Sequence, residues 1–83
     1  MQELTWNEYI DLVKAECERR FEHGERYTVY TVGLSMRGID KVHCHRLMSI
    51  TGGNDFPYTE SHFRTRKDIH LQPRLDWLES LKE

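Results

Sequence analysis

From Trp6 to Phe21 the large apolar residues recur three or four positions apart: Trp6, Tyr9, Ile10, Val13, Cys17 and Phe21. That spacing puts them on one stripe of an amphipathic helix. Thr5-Trp6-Asn7-Glu8 reads as a capping box, in which the Thr5 hydroxyl and the Glu8 carboxylate each serve the other residue's amide. Leu4 and Tyr9 are placed to form the hydrophobic staple across that cap. Arg19, Arg20 and His23 fall in the last turn, where cations favour the negative end of the helix dipole. Gly24 comes next as a residue able to turn left-handed. The pattern predicts a helix over about residues 6–23.

The character of the chain changes at Arg26. Tyr27-Thr28-Val29-Tyr30-Thr31-Val32 is β-branched or aromatic throughout, and a second run spans Lys41 to Thr51. With Arg37-Gly38-Ile39-Asp40 between them, the two runs read as a β-hairpin. Pairing Leu34 with Cys44 sets Met36 opposite Val42, Tyr30 opposite Met48 and Thr28 opposite Ile50, all on one face. Arg46 is the misfit, since it lands on that apolar face beside Val32.

Gly52-Gly53-Asn54-Asp55 breaks the second run and reads as a loop. It lacks the Gly-Lys-Ser/Thr that would make it a phosphate cradle. Over about residues 61–71, Phe63, Thr65, Ile69 and Leu71 alternate with His62, Arg64, Arg66, Asp68 and His70, so a third strand is expected. Pro73 suits the first turn of a closing helix lined by Leu75, Trp77, Leu78 and Leu81. The expected fold is α+β, a single domain over residues 1–83 in the order α-β-β-β-α. A three-stranded antiparallel sheet would carry both helices on one face. Its core would contain Trp6, Ile10, Val13, Phe21, Tyr30, Val32, Leu34, Met48, Ile50, Phe63, Ile69, Leu75 and Leu78.

Composition narrows the class. With 83 residues, 37% hydrophobic and 31% charged, the chain suits a globular domain with a thin core. The longest uncharged stretch, Tyr27 to Met36, is too short to span a bilayer, and no leader-like charged and apolar run opens the chain. Two cysteines, Cys17 and Cys44, both on apolar faces, suggest buried thiols in a reducing cytoplasm. The net charge of −2 argues against a dedicated nucleic-acid binder. That charge is unevenly spread, however: residues 1–25 hold seven acids against three bases, and residues 26–72 hold seven bases against four acids.

No catalytic fingerprint is legible, so a non-enzymatic protein without cofactor is expected. On a strand, His43 and His45 would project together while Cys44 pointed into the core. Two imidazoles begin a zinc site but lack co-ligands at a recognisable spacing, so no metal is expected. The same geometry separates Cys44 from a histidine base, and Ser61 from His62.

Chemistry is expected instead on the sheet face turned away from the helices. That face would gather Tyr27, Val29, Lys41, His43, His45, Leu47, His62, Arg64, Arg66 and His70, a basic surface with apolar spots. Protonation of all five histidines would move the charge from −2 to +3 and strengthen attraction to acids. Two functions are compatible with such a face. The first is a small regulator, adaptor or inhibitor that docks this face or a strand edge onto an acidic protein partner. The second is a nucleic-acid-binding module using the Arg64, Arg66 and Lys67 patch. No membrane partner is expected.

Overall fold

In the computed structural model, which describes residues 3–51 and 66–83, the first helix is as the sequence pattern requires. Helix α1 spans Trp6–Glu22, and its buried residues are Trp6, Tyr9, Ile10, Val13, Cys17 and Phe21. The Glu8 amide donates to Thr5 Oγ1 at 3.1 Å and the Thr5 amide to Glu8 Oε1 at 2.9 Å, closing the capping box. Gly24 takes φ 75°, a left-handed backbone that favours glycine, and ends the run.

Beyond Gly24 the structure corrects the α+β expectation. The next elements are helix α2 (Val29–Ser35) and helix α3 (Lys41–Thr51), with helices α4 (Lys67–His70) and α5 (Gln72–Ser80) after them. Among the described residues there is no strand, so the antiparallel sheet and its hairpin register are absent. The β-branched run is helical because its first turn carries a reciprocal cap. Thr28 Oγ1 accepts from the Thr31 amide at 3.0 Å, and Thr31 Oγ1 accepts from the Thr28 amide at 2.9 Å. Seven residues are too few for an independent helix. Burial supplies the rest: Val29, Val32 and Gly33 are all inside.

Helix α3 has the same explanation. Asp40 caps it by accepting the His43 amide at 2.9 Å. Its buried residues are Cys44, Leu47 and Thr51, with Met48 partly buried, which is helical spacing and not alternation. The predicted third strand fares similarly where it is described: residues 67–70 form α4. Phe63, His62, Arg64, Ser61 and the Gly52–Asp55 loop lie outside the described residues. The closing helix is present, with Pro73 in its first turn.

The core joins α1 to its neighbours through Tyr9, Ile10, Val13, Cys17, Phe21, Tyr27, Val29, Val32, Leu47 and Leu78. Of the expected core, Leu34, Ile50 and Ile69 are exposed, because a helix turns them outward where a strand would not. Helices α2 and α3 meet closely at Gly33, where a Cβ would stand 2.5 Å from Met48 Cε and 3.0 Å from Leu47 Cδ2. The Cys44 thiol donates to the Gly33 carbonyl at 3.3 Å across the same contact. Helix α5 closes over the start of α1. The Trp6 indole N–H donates to Leu81 O at 2.8 Å, and Asn7 exchanges two 2.9 Å hydrogen bonds with the Glu83 backbone.

Candidate functional site: the outward face of helix α3

Helices α2 and α3 follow one another across the turn 36–40, which includes Gly38, and pack together at Gly33. Helix α1 and the core hold one side of the pair. The other side of α3 presents Lys41, Val42, His45, Arg46, Ser49 and Ile50, all exposed and one or three positions apart. They form a continuous stripe along the helix. Neither α2 nor α3 contains a carboxylate, and Asp40 in the turn is half-buried and committed to capping.

Beside the stripe, a groove of about 260 Å³ runs between the two helices. Leu34, Cys44 and Met48 give it apolar walls, and Arg37, Lys41 and His45 rim it. None of these three makes an ion pair with any described residue. Of the described acids, Glu83 meets Arg46 on the stripe itself, and several others are occupied away from it. Glu16 holds Arg19 and Arg20, Asp11 and Glu79 hold Lys82, and Glu79 also holds Lys14 at 2.9 Å. These contacts keep the Glu16 carboxyl low, chiefly through Arg19, and the Glu79 carboxyl low, chiefly through Lys14.

The residues expected on a sheet face are dispersed. Tyr27, Val29 and Leu47 are buried in the core. The Tyr27 hydroxyl donates to His70 O at 2.8 Å, and burial pushes its phenol well above the ordinary 10.0. His43 and His45 diverge because two residues on a helix differ by about 200°. The His43 ring lies 5.8 Å from the Trp6 ring and 5.7 Å from the Tyr9 ring. Its Nε2 sits 2.8 Å from Leu4 O, an acceptor only, so that nitrogen carries the proton and donates.

Arg66 pairs with Asp68 at 3.3 Å and Lys67 with Glu22 at 3.2 Å, which neutralises the described part of the expected basic patch. His62 and Arg64 lie outside the described residues, and His70 is half-buried in α4. Of the expected set, Lys41 and His45 meet at one site, so the shared histidine face is not formed. No group of three His, Cys, Asp or Glu capable of holding a metal occurs among the described residues.

Sequence reasoning missed Arg37, Val42, Arg46, Ser49 and Ile50 as members of the site. Reading 37–40 as a hairpin connection removed Arg37 from consideration. For those on α3 the signal is the helical spacing of Cys44, Leu47, Met48 and Thr51, which fixes the opposite face by subtraction. Arg46, the misfit on a strand, is at home on the helix. Its guanidinium packs over Trp6 and bonds the Glu83 carboxylate.

Among the described residues no helix is long and apolar enough to cross a membrane. No family model, curated protein or solved structure matches this chain.

Proposed function

We propose that this protein is a non-enzymatic nucleic-acid-binding module of the cytoplasm, which seats α3 in the major groove of duplex DNA. One observation carries the reading: an outward stripe on α3, the second helix of a helix, turn and helix in succession, whose own side chains include no acid and beside which Arg37 and Lys41 make no ion pair among the described residues. In DNA-binding helix-turn-helix units the second helix enters the major groove and its first residues meet the base edges. Size is compatible, because a helix about 10–12 Å across fits a groove about 12 Å wide.

The overall charge of −2 is no obstacle to this. Residues 26–51 hold four bases, Arg26, Arg37, Lys41 and Arg46, against the single acid Asp40. The negative balance sits mainly in residues 1–25, away from the stripe in sequence. Cys17 and Cys44 are buried thiols, in keeping with a reducing compartment.

A second reading has its own support. Leu34 is about half-exposed at the same groove and Ile39 in the turn is also about half-exposed, and a protein partner would use such apolar area. Fluorescence anisotropy with a random-sequence duplex separates the two. Binding is expected to weaken with salt at a log–log slope of about −2 to −3, from two or three phosphate contacts. It is expected to be lost in R37E/K41E and kept in E18K. A folded R37E/K41E variant that binds DNA unchanged overturns the reading. Failure to bind duplex, with nuclease-resistant capture of an acidic protein through Lys41, favours the second.

A further inference from the structure

We infer that Val42 reads the C5-methyl of a thymine and sets the base preference of the complex. The inference rests on the duplex-binding reading above. Val42 is the second residue of α3 and is 75% exposed, the most of any large hydrophobic residue in the described chain. A branched apolar side chain left so bare makes little contribution to this fold. In the major groove the thymine methyl is the one apolar feature that distinguishes the four ordinary base pairs.

Its setting favours that contact. Val42 lies in the first turn of α3, the part that approaches base edges most closely in a helix-turn-helix. Its χ1 is stiff because of branching at Cβ, so little rotamer freedom is lost on contact. Asp40 caps that turn through the His43 amide, which holds the backbone on either side of Val42. Lys41 and His45 flank it with donors suited to phosphate or to acceptors on neighbouring bases.

The other candidate for base reading is already engaged. Arg46 would be the natural bidentate reader of guanine, but its guanidinium is held by Glu83 and by the Trp6 ring. Ile50, also exposed, stands eight residues on and therefore about 12 Å further from the turn. Discrimination accordingly falls to Val42.

The test begins by selecting duplexes from a random pool with the full 83-residue chain. Each thymine of the selected site is then replaced singly by uracil, which removes only the methyl. One position is expected to lose about fourfold in affinity, the worth of one buried methyl. V42A, with a circular dichroism melt like the parent's, is expected to bind thymine and uracil forms of that position equally. A flat uracil scan on a bound duplex overturns the assignment to Val42 and leaves the duplex-binding reading standing. Sensitivity that persists undiminished in V42A does the same. Failure to enrich any duplex overturns both together.

Discussion

The Arg46 guanidinium stands 4.0 Å from the centroid of the Trp6 ring, stacked on the residue that opens α1. The Trp6 indole N–H is meanwhile spent on Leu81 O, so one side chain ties α1, α3 and the end of α5 together. Trp6→Phe keeps a ring and loses one hydrogen bond, so a cost of about 1 kcal/mol is expected. Trp6→Ala removes the ring from a buried site and is expected to cost about 3–5 kcal/mol. Arg46→Ala should cost under about 1 kcal/mol, because its partner Glu83 is exposed. Urea titrations rank the three, and equal losses for the Phe and Ala variants of Trp6 would contradict that ranking.

Gly33 gives a prediction with two opposing terms. Alanine gains about 1 kcal/mol of helix propensity over glycine. Its Cβ must displace Met48 Cε from 2.5 Å and Leu47 Cδ2 from 3.0 Å, but both are ends of flexible side chains. Gly33→Ala is therefore expected to change stability by less than about 1 kcal/mol. Gly33→Val adds two further methyl groups at the same contact and should cost about 2 kcal/mol or more. Comparable midpoints for the Ala and Val variants in denaturant would mean that α2 and α3 do not pack tightly at this point.

Removing the cap of α3 tests the reassignment from strand to helix. Asp40→Ala leaves the His43 amide without its acceptor and should cost about 1 kcal/mol, whereas Asp40→Asn should recover most of it. In a β-connection neither substitution would matter much. Thermal melts of the two variants beside the parent decide it.

Tyr9 and Tyr27 make the fold sensitive to alkali. Burial raises both phenols well above 10.0, and the nearby Cys44 thiol adds to the effect at Tyr9. Below about pH 10 both tyrosines are neutral folded or unfolded, and their contribution is complete. Above that, the unfolded chain ionises and the folded chain does not, so stability falls by up to about 1.4 kcal/mol per pH unit per tyrosine. Tyrosinate absorbance should therefore rise together with loss of helix. The two hydroxyls differ in neutral solution. Tyr27→Phe loses a bond to His70 O and should cost about 1 kcal/mol. The Tyr9 hydroxyl is buried and its polar neighbour is the Cys44 thiol, a weak partner that already donates to Gly33 O, so Tyr9→Phe should cost little.

The legible parts of the chain are those where several signals coincide. Cap, stripe, basic last turn and Gly24 all agreed on α1, and Pro73 marked the start of α5. The segment 27–51 misled because β-branched residues suit either period over a short run. Its Thr28–Thr31 box lacks the acidic partner that makes such a cap conspicuous in sequence. Burial of Val29 and Val32 in the shared core then outweighed local preference, a tertiary effect invisible to a window of a few residues. The positive middle of the chain was readable as a charge imbalance. Which bases stay unpaired was not, since Lys67 is neutralised by Glu22 from a distant part of the sequence.

The contacts that hold α2 to α3 and those that fasten α5 over α1 also belong to different stages of folding. Cys44 reaches Gly33 across 11 residues, whereas Trp6 reaches Leu81 across 75. Closing the longer loop costs about 2 kcal/mol more chain entropy by the logarithmic rule. We expect the α2–α3 pair to dock while the ends are still apart, and the Trp6–Leu81 latch to shut last. Substitutions near Gly33 should then slow refolding, whereas Trp6→Phe should mainly hasten unfolding. Slower refolding in Trp6→Phe, with the unfolding rate unchanged, would reverse that order. On this sequence of events, the helix proposed to enter DNA is assembled before the rest of the chain closes around it.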